Sequence, residues 1–290
     1  MERDRLLALV KAGPVLWDGA MGTMLQQQGL RPGACPELWN IENRDEVRSI
    51  HAAYIEAGAR IISTNTFGGN RLKLGAYGLE DRVKELNSAG VTIAREVASG
   101  ENFVAASIGP TGKFLEPLGD LSFEEAANVF AEQAEAQASA GADVILTETF
   151  SDLEEAKAAL CGAQQCGLPC FCTMAFDTGG CTMMGVDPPS AAKALAMAGA
   201  EAVGANCGVG PGEMLAIIKQ VKESTELPVM AQPNAGVPRV VEGAVIYDAT
   251  PEDMAEFAAE CADLGVSIIG ACCGSTPQHI YRMAKRLQME

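Results

Sequence analysis

Short apolar runs alternate with longer amphipathic stretches along the whole chain. Eight of the runs have the length of a buried strand, at residues 15–20, 59–67, 103–110, 143–149, 169–177, 201–207, 227–234 and 266–274. Nearly continuous hydrophobicity is typical of parallel strands that are covered on both faces. Between the runs, Ser122 followed by Glu125 and Thr250 followed by Pro251 are signals for the start of a helix.

The order of these elements predicts an α/β fold. Eight strand–helix units use almost all of the 290 residues, which favours a (β/α)8 TIM barrel that spans residues 1–290 as a single domain. No linker rich in proline or serine divides the chain. A doubly wound open sheet is the alternative, because the pattern does not show whether the sheet closes on itself.

The composition limits the classes of partner that the protein is expected to bind. Lys and Arg number 21 against 38 Asp and Glu, so the formal net charge is −17, and we expect neither a nucleic-acid nor a membrane partner. The first apolar run is too short for a signal-peptide core and none approaches a membrane span, so we expect a cytoplasmic protein. The ten cysteines would then be reduced, as buried apolar residues, metal ligands or nucleophiles.

Three of these thiols fall where a parallel barrel collects its chemistry, at the carboxyl ends of the strands. Cys207 ends the sixth predicted strand, and Cys272 and Cys273 end the eighth. Three sulfur ligands suit a catalytic zinc ion with one open position. Adjacent strand residues point to opposite faces, so the last two thiols can share a metal only if the strand bends near Gly270 or Gly274. Inert buried thiols and a vicinal disulfide are the alternatives.

The other candidate residues carry weaker signals. His51 and His279 fall in predicted helices away from the strand ends, which argues against acid–base chemistry by histidine. No lysine lies at a predicted strand end, which argues against a lyase or aldolase that uses a Schiff base. The glycine-rich segment 208–212 lacks the spacing of a dinucleotide loop, so we interpret it as a turn. The remaining seven cysteines are interpreted as structural, with a second metal site as the alternative for four of them: Cys166, Cys170, Cys172 and Cys181.

The strand-end segments also form an ordered series of motifs. They are DGAMGT at 18–23, TNTFG at 64–68, IGPTG at 108–112, ETFSD at 148–152, GANC at 204–207, QPNAG at 232–236 and GACCG at 270–274. Together they resemble the zinc-dependent homocysteine S-methyltransferase family, and within it the homocysteine-binding module of cobalamin-dependent methionine synthase. The resemblance covers nearly the whole chain, and its specificity comes from the complete series rather than from any one motif.

The resemblance implies a set of roles for the strand-end residues. One zinc ion per chain would be held by the three strand-end thiols, with the homocysteine thiolate as the fourth ligand and no catalytic residue beyond that activated thiolate. Glu148 would bind the substrate ammonium, with Asp18, Asn65 and Thr66 nearby, and the side-chain oxygen of Asn234 would occupy the zinc before substrate arrives.

The resemblance also implies a methyl donor outside this chain. The family's cobalamin signature, Asp-x-His-x-x-Gly, fits neither His51 nor His279, so methylcobalamin would be carried by a partner corrinoid protein or domain. The alternatives are S-methylmethionine or a betaine as donor, another small thiol as acceptor, or a zinc-binding barrel without turnover.

Overall fold

A computed structural model describes residues 2–177, 179–241 and 244–289. Within these ranges the strands are β1 Val15–Leu16, β2 Ile61–Ser63, β3 Phe103–Ile108, β4 Val144–Phe150, β5 Cys170–Met174, β6 Ala202–Asn206, β7 Val229–Gln232, β8 Arg239–Val241, β9 Ala244–Ile246 and β10 Ile268–Ile269. The α-helices are α1 Glu2–Ala12, α2 Gly22–Gln27, α3 Trp39–Glu42, α4 Arg44–Glu56, α5 Arg71–Gly75, α6 Val83–Val97, α7 Phe123–Ser139, α8 Leu153–Ala163, α9 Pro188–Met197, α10 Pro211–Ser224, α11 Pro251–Asp263 and α12 Pro277–Arg286. Short 3-10 helices span Pro36–Leu38, Glu80–Arg82 and Gln164–Cys166.

Eight of the strands form one parallel sheet that closes into a ring. Their order is β1-β10-β7-β6-β5-β4-β3-β2, and a parallel bridge between Trp17 and Ile61 joins the two ends. At this junction the Arg60 N–H donates to the Leu16 carbonyl over 2.8 Å, and the Asp18 N–H donates to the Ile61 carbonyl over 3.1 Å. The prediction of a (β/α)8 barrel is therefore confirmed, and the open sheet is excluded.

Side chains alternate between the inside and the outside of the ring, as the strand period requires. Large residues such as Trp17, Phe103 and Phe171 fill the interior. Helix α1 covers the amino-terminal end of the ring, where Leu6 and Val10 pack against the interior cluster. A second apolar layer between strands and helices completes the core. No helix in the described ranges is both long and apolar enough to cross a membrane.

All eight barrel strands begin inside the predicted runs, but none ends where its run ends: seven strands end earlier, and β4 ends later. Strand β4 continues to Phe150, one residue beyond the prediction. Strand β10 stops at Ile269, although the next segment still bonds to the residues that follow its two neighbouring strands: the Ala271 N–H donates to the Asp18 carbonyl and the Cys272 N–H to the Pro233 carbonyl. The sequence pattern also missed an antiparallel hairpin, β8–β9, which lies between β7 and α11.

Candidate metal and substrate site

The structure brings the three predicted thiols together at the carboxyl end of the ring. Cys207 follows β6 directly, and Cys272 and Cys273 lie in the turn after β10. Their sulfur atoms all lie within 4.8 Å of one another, and the Cys207 and Cys273 sulfurs are 4.0 Å apart. All three carry free thiols, so the vicinal disulfide is not formed. Because both residues of the Cys-Cys pair lie beyond the strand, its alternation does not separate them.

Backbone contacts through the loop after β7 hold the two cysteine-bearing segments side by side. The Cys207 N–H donates to the Gln232 carbonyl over 3.0 Å, and the Ala235 N–H donates to the Cys273 carbonyl over 2.9 Å. Cys207 itself has a positive φ of 59°, and Gly208 follows at 74°. A Cβ at Gly208 would lie 2.1 Å from the Phe176 carbonyl oxygen, so this left-handed turn requires glycine.

The three clustered thiols differ in pKa. The Cys272 and Cys273 thiols hydrogen-bond to Cys207 and lower its pKa. The same contacts raise the pKa of Cys272 and, to about 12, that of Cys273. The cluster therefore holds one thiolate most easily, and further deprotonation needs a positive charge among the sulfurs. A thiophilic metal ion would supply that charge.

A buried carboxylate, Glu148, lies on β4 beside this cluster. The strand register shifts between Thr147 and Phe150, and Thr149 has a φ of 67°, an uncommon conformation for a β-branched residue. The Glu148 carboxylate accepts from the Ser107 hydroxyl over 2.5 Å and from the Asn206 amide over 3.0 Å. Burial raises the Glu148 pKa to about 7, with Cys207 adding repulsion.

Asn206 links the carboxylate to the thiols, and sequence reasoning did not single it out. Its amide nitrogen donates to Glu148 and lies 4.0 Å from the Cys272 sulfur. Its oxygen accepts from the Thr149 N–H over 2.9 Å and from the Thr173 hydroxyl over 2.7 Å. These two donors fix the amide so that its N–H groups face the site. The available signal was its place next to Cys207 at a strand end.

A second carboxylate, Asp18, faces the same end of the ring from β1. It is 2 % exposed and accepts from the Ser63 N–H over 2.6 Å and from the Ser63 hydroxyl over 3.2 Å. Burial raises its pKa well above the ordinary value, and repulsion from Glu148 adds to the rise. Two buried carboxylates that repel each other, with no cationic partner among the residues that the structure describes, create a site that favours a bound cation.

Asn65 and Thr66, also predicted as substrate contacts, have side chains engaged in a buried network behind the loop after β2. The Asn65 amide donates to the Pro36 carbonyl over 2.8 Å. The Thr66 hydroxyl donates to the Ser107 carbonyl over 2.8 Å and accepts from Gln137 over 3.0 Å. These hydrogen bonds of the Asn65 and Thr66 side chains fix the position of the loop.

Asn234 lies beside the thiols, as predicted. Its side chain hydrogen-bonds to Cys207 and lowers the pKa of that thiol. Its oxygen Oδ1 is buried and has no hydrogen-bond partner. This oxygen is therefore available beside the thiols as a hydrogen-bond acceptor or a metal ligand.

A tyrosine that sequence reasoning missed covers the cluster from the hairpin side. Tyr247 follows β9, and its side chain lies close enough to Cys273 to lower the pKa of that thiol. Its ring lies so close to Gly274 that a Cβ there would be 2.1 Å from the ring carbon Cγ. No sequence pattern connects this residue to the cysteine pair, because the hairpin itself was not predicted.

The weaker candidates do not form sites of their own. His51 is fully buried, and burial lowers its pKa to about 4. His279 caps helix α12 through Thr276 over 2.9 Å. Within the described ranges, the thiol trio is the only group of three or more potential metal ligands that cluster. The second metal site therefore does not form at its four candidates: Cys166, Cys170, Cys172 and Cys181.

Comparisons with known proteins agree with this geometry. The family model described as "Homocysteine S-methyltransferase" matches residues 15–287. Curated relatives include the methionine synthases of Mycobacterium leprae and Mycobacterium tuberculosis, each 34 % identical over 96 % of this chain. The aligned part is 25 % of either relative, so the chain spans about a quarter of their length.

Solved structures extend the comparison to the fold. The metallated form of the homocysteine methyltransferase MmuM from Escherichia coli matches with a TM-score of 0.80 and 24 % identity, over 99 % of this chain and 100 % of that one. The carboxyl transferase domain of Rhizobium etli pyruvate carboxylase matches with a TM-score of 0.56 and 14 % identity, over 99 % of this chain and 50 % of that one. At these identities the likeness shows a shared barrel fold alone.

Proposed function

The chain belongs to the homocysteine S-methyltransferase family, and from that premise we propose that it methylates the thiol of homocysteine to give methionine at a zinc site. The observation that carries the proposal is the thiol trio beside a buried carboxylate pair. The trio suits a metal-bound thiolate, and the pair suits the ammonium of an amino acid. We assign residues 1–290 to one homocysteine-binding barrel. Because the thiols must stay reduced, we place the reaction in the cytoplasm.

The donor set fits one zinc ion per chain, held by Cys207, Cys272 and Cys273. Zinc–sulfur bonds of about 2.3 Å in a tetrahedral arrangement place two sulfurs about 3.8 Å apart. The Cys207 and Cys273 sulfurs lie 4.0 Å apart, so binding a zinc ion would need little movement of the two side chains. The unpaired oxygen of Asn234 completes a four-ligand set, which homocysteine would replace with its sulfur.

The roles of the surrounding residues follow from charge. Zinc bound by three thiolates would keep the substrate thiol deprotonated at neutral pH and leave it electron-rich. Glu148 and Asp18 would bind the substrate ammonium, which relieves the repulsion between them. Asn65 and Thr66 would act through the loop after β2, whose position their side chains fix. These residues orient the amino acid so that its sulfur faces the donor.

The methyl donor belongs to another protein or domain in this proposal. The relatives named methionine synthase are about four times as long as the aligned segment, which favours a methylated corrinoid carried outside residues 1–290. Methylcobalamin would then bind the partner and not this barrel. S-methylmethionine and betaine remain the competing donors, and the experiment separates them.

A donor panel tests the proposal. Zinc-loaded protein is incubated with homocysteine and either methylcobalamin, S-methylmethionine or glycine betaine, and methionine is measured by mass spectrometry. We expect methionine with methylcobalamin, and loss of both zinc and turnover in Cys207→Ser. Cys161→Ser, an exposed thiol on α8, is the matched control and should behave as wild type. Full zinc and full activity in Cys207→Ser, or zinc binding without methionine from any donor, contradicts the proposal.

A further inference from the structure

A layer of polar side chains lies across the interior of the barrel at its carboxyl end. Earlier positions on the interior face of the strands are apolar, for example Phe171 on β5, Ala202 on β6 and Met230 on β7. Because side chains alternate along a strand, the polar residues that follow on the same face also point into the ring. They are Ser63, Ser107, Glu148, Thr173, Asn206 and Gln232. This layer therefore surrounds the space that Glu148 faces.

All but one of these side chains are fully engaged by hydrogen bonds within the site. The engaged residues are Ser63, Ser107, Glu148, Thr173 and Asn206. The exception is Gln232, whose oxygen Oε1 is buried and has no hydrogen-bond partner among the residues that the structure describes. Buried acceptors without a partner are uncommon in folded proteins, so this oxygen is free for a donor on a ligand.

Gln232 lies between the thiols and the second carboxylate. It is the last residue of β7, pairs in register with Asn206 and is 4 % exposed. Its backbone carbonyl accepts from the Cys207 N–H over 3.0 Å. On its other side, a Cβ at Gly270 would lie 3.2 Å from the Gln232 amide nitrogen and 3.0 Å from the Asp18 carbonyl oxygen. The Gln232 amide is therefore next to the end of β1 that carries Asp18.

The charges at this end of the ring explain the value of a neutral acceptor. An ammonium group has three N–H donors and one positive charge. Glu148 and Asp18 supply the opposite charge, but they already repel each other. A third carboxylate would add to that repulsion, whereas an amide oxygen accepts a hydrogen bond without adding charge. The Gln232 oxygen thus has the chemistry that the third N–H of an ammonium requires.

We propose that Gln232 is a substrate-binding residue whose Oε1 accepts a hydrogen bond from the homocysteine ammonium, beside the carboxylates of Glu148 and Asp18. The inference rests on the proposed function and adds a residue that selects amino acids among small thiols. A thiol with an ammonium group pairs all three acceptors, whereas a thiol without one leaves the Gln232 oxygen buried and unpaired, at a cost in affinity.

The experiment compares two ligands that differ only in the amino group. L-homocysteine and 4-mercaptobutanoate, which has hydrogen in place of the ammonium, are titrated by calorimetry into zinc-loaded protein under reducing conditions at pH 8. The proteins are wild type, Gln232→Met, Gln232→Glu and the control Gln220→Met, at an exposed position on α10. Methionine has nearly the size of glutamine but no strong acceptor, and elemental analysis gives the zinc content of each protein.

We expect Gln232→Met to weaken the binding of homocysteine about tenfold, the effect of losing one hydrogen bond to a charged group. Its affinity for 4-mercaptobutanoate and its zinc content should equal those of wild type, as should every value of Gln220→Met. Gln232→Glu keeps an acceptor oxygen whether or not it ionises, so it should keep or increase the preference for homocysteine. This second variant tests the inference on its own if Gln232→Met does not fold.

The opposing results are distinct. Unchanged homocysteine affinity in Gln232→Met, equal weakening of both ligands, or a preference for homocysteine that falls in Gln232→Glu would overturn the inference. Loss of zinc in both variants would also overturn it, because Gln232 would then support the thiols and not the substrate. Wild-type protein that does not bind homocysteine overturns the proposed function and this inference with it, whereas normal binding by wild type with any of the other results overturns this inference alone.

Discussion

Replacing Glu148 with glutamine should stabilise the substrate-free protein at alkaline pH. The carboxyl has an ordinary pKa of 4.5, and burial raises it to about 7 in the folded state. Between these values the folded state holds more protons than the unfolded chain, so stability falls as pH rises. At 1.36 kcal/mol per unit, the full penalty above pH 7 is about 3 kcal/mol. Glu148→Gln removes this penalty, because the amide does not ionise.

The measurement is urea unfolding at pH 5 and pH 8.5, on reduced protein freed of metal with a chelator. We expect the stability of Glu148→Gln relative to wild type to rise by about 2–3 kcal/mol between the two conditions. Any local cost of placing an amide against Asn206 is the same at both pH values and cancels in this difference. Glu213→Gln, at an exposed position on α10, is the control. A relative stability of Glu148→Gln that is equal at both pH values refutes the reasoning.

Three further outcomes are expected. The KM for homocysteine should rise about tenfold per pH unit below pH 7, as Glu148 takes up its proton and loses its attraction for the ammonium; a flat profile in steady-state kinetics contradicts this. Gly208→Ala should cost about 2 kcal/mol in urea unfolding and lower the zinc content measured by elemental analysis, because its φ of 74° and the nearby Phe176 carbonyl leave no room for Cβ; wild-type values in both would refute it. Ser122→Ala should cost about 1 kcal/mol through its lost capping box with zinc content unchanged, and a change in zinc content would refute that separation.

The barrel could be predicted from the sequence because parallel strands are covered on both faces and therefore appear as continuous apolar runs. The hairpin β8–β9 could not, because its strands are three residues each and carry exposed valines such as Val240 and Val245. The predicted end of β10 was also wrong, since the apolar pattern continues through Ala271 whereas the regular strand ends at Ile269.

The thiol trio could be predicted from the sequence, but the residues that surround it could not. Strand order alone brings Cys207 and the Cys-Cys pair to one end of a barrel, whereas Tyr247 reaches Cys273 only through a hairpin of unpredicted geometry. Asn206 lies next to a predicted ligand, yet its importance depends on the bulge in β4 that turns Glu148 towards it. Contacts that depend on bulges and tight turns cannot be predicted from the sequence pattern and become visible only in the three-dimensional structure.

The junction between β1 and β2 gives Asp18 a mechanical role in the barrel. A closed sheet is least stable where the fewest hydrogen bonds join neighbouring strands. At this junction a single bridge lies beside β1, a strand of two residues. Asp18 makes two hydrogen bonds across this junction: its backbone N–H donates to the Ile61 carbonyl, and its carboxylate accepts from the Ser63 N–H. The side chain proposed to bind the substrate ammonium therefore also holds the ring closed, so we expect replacement of Asp18 to weaken the barrel as well as substrate binding.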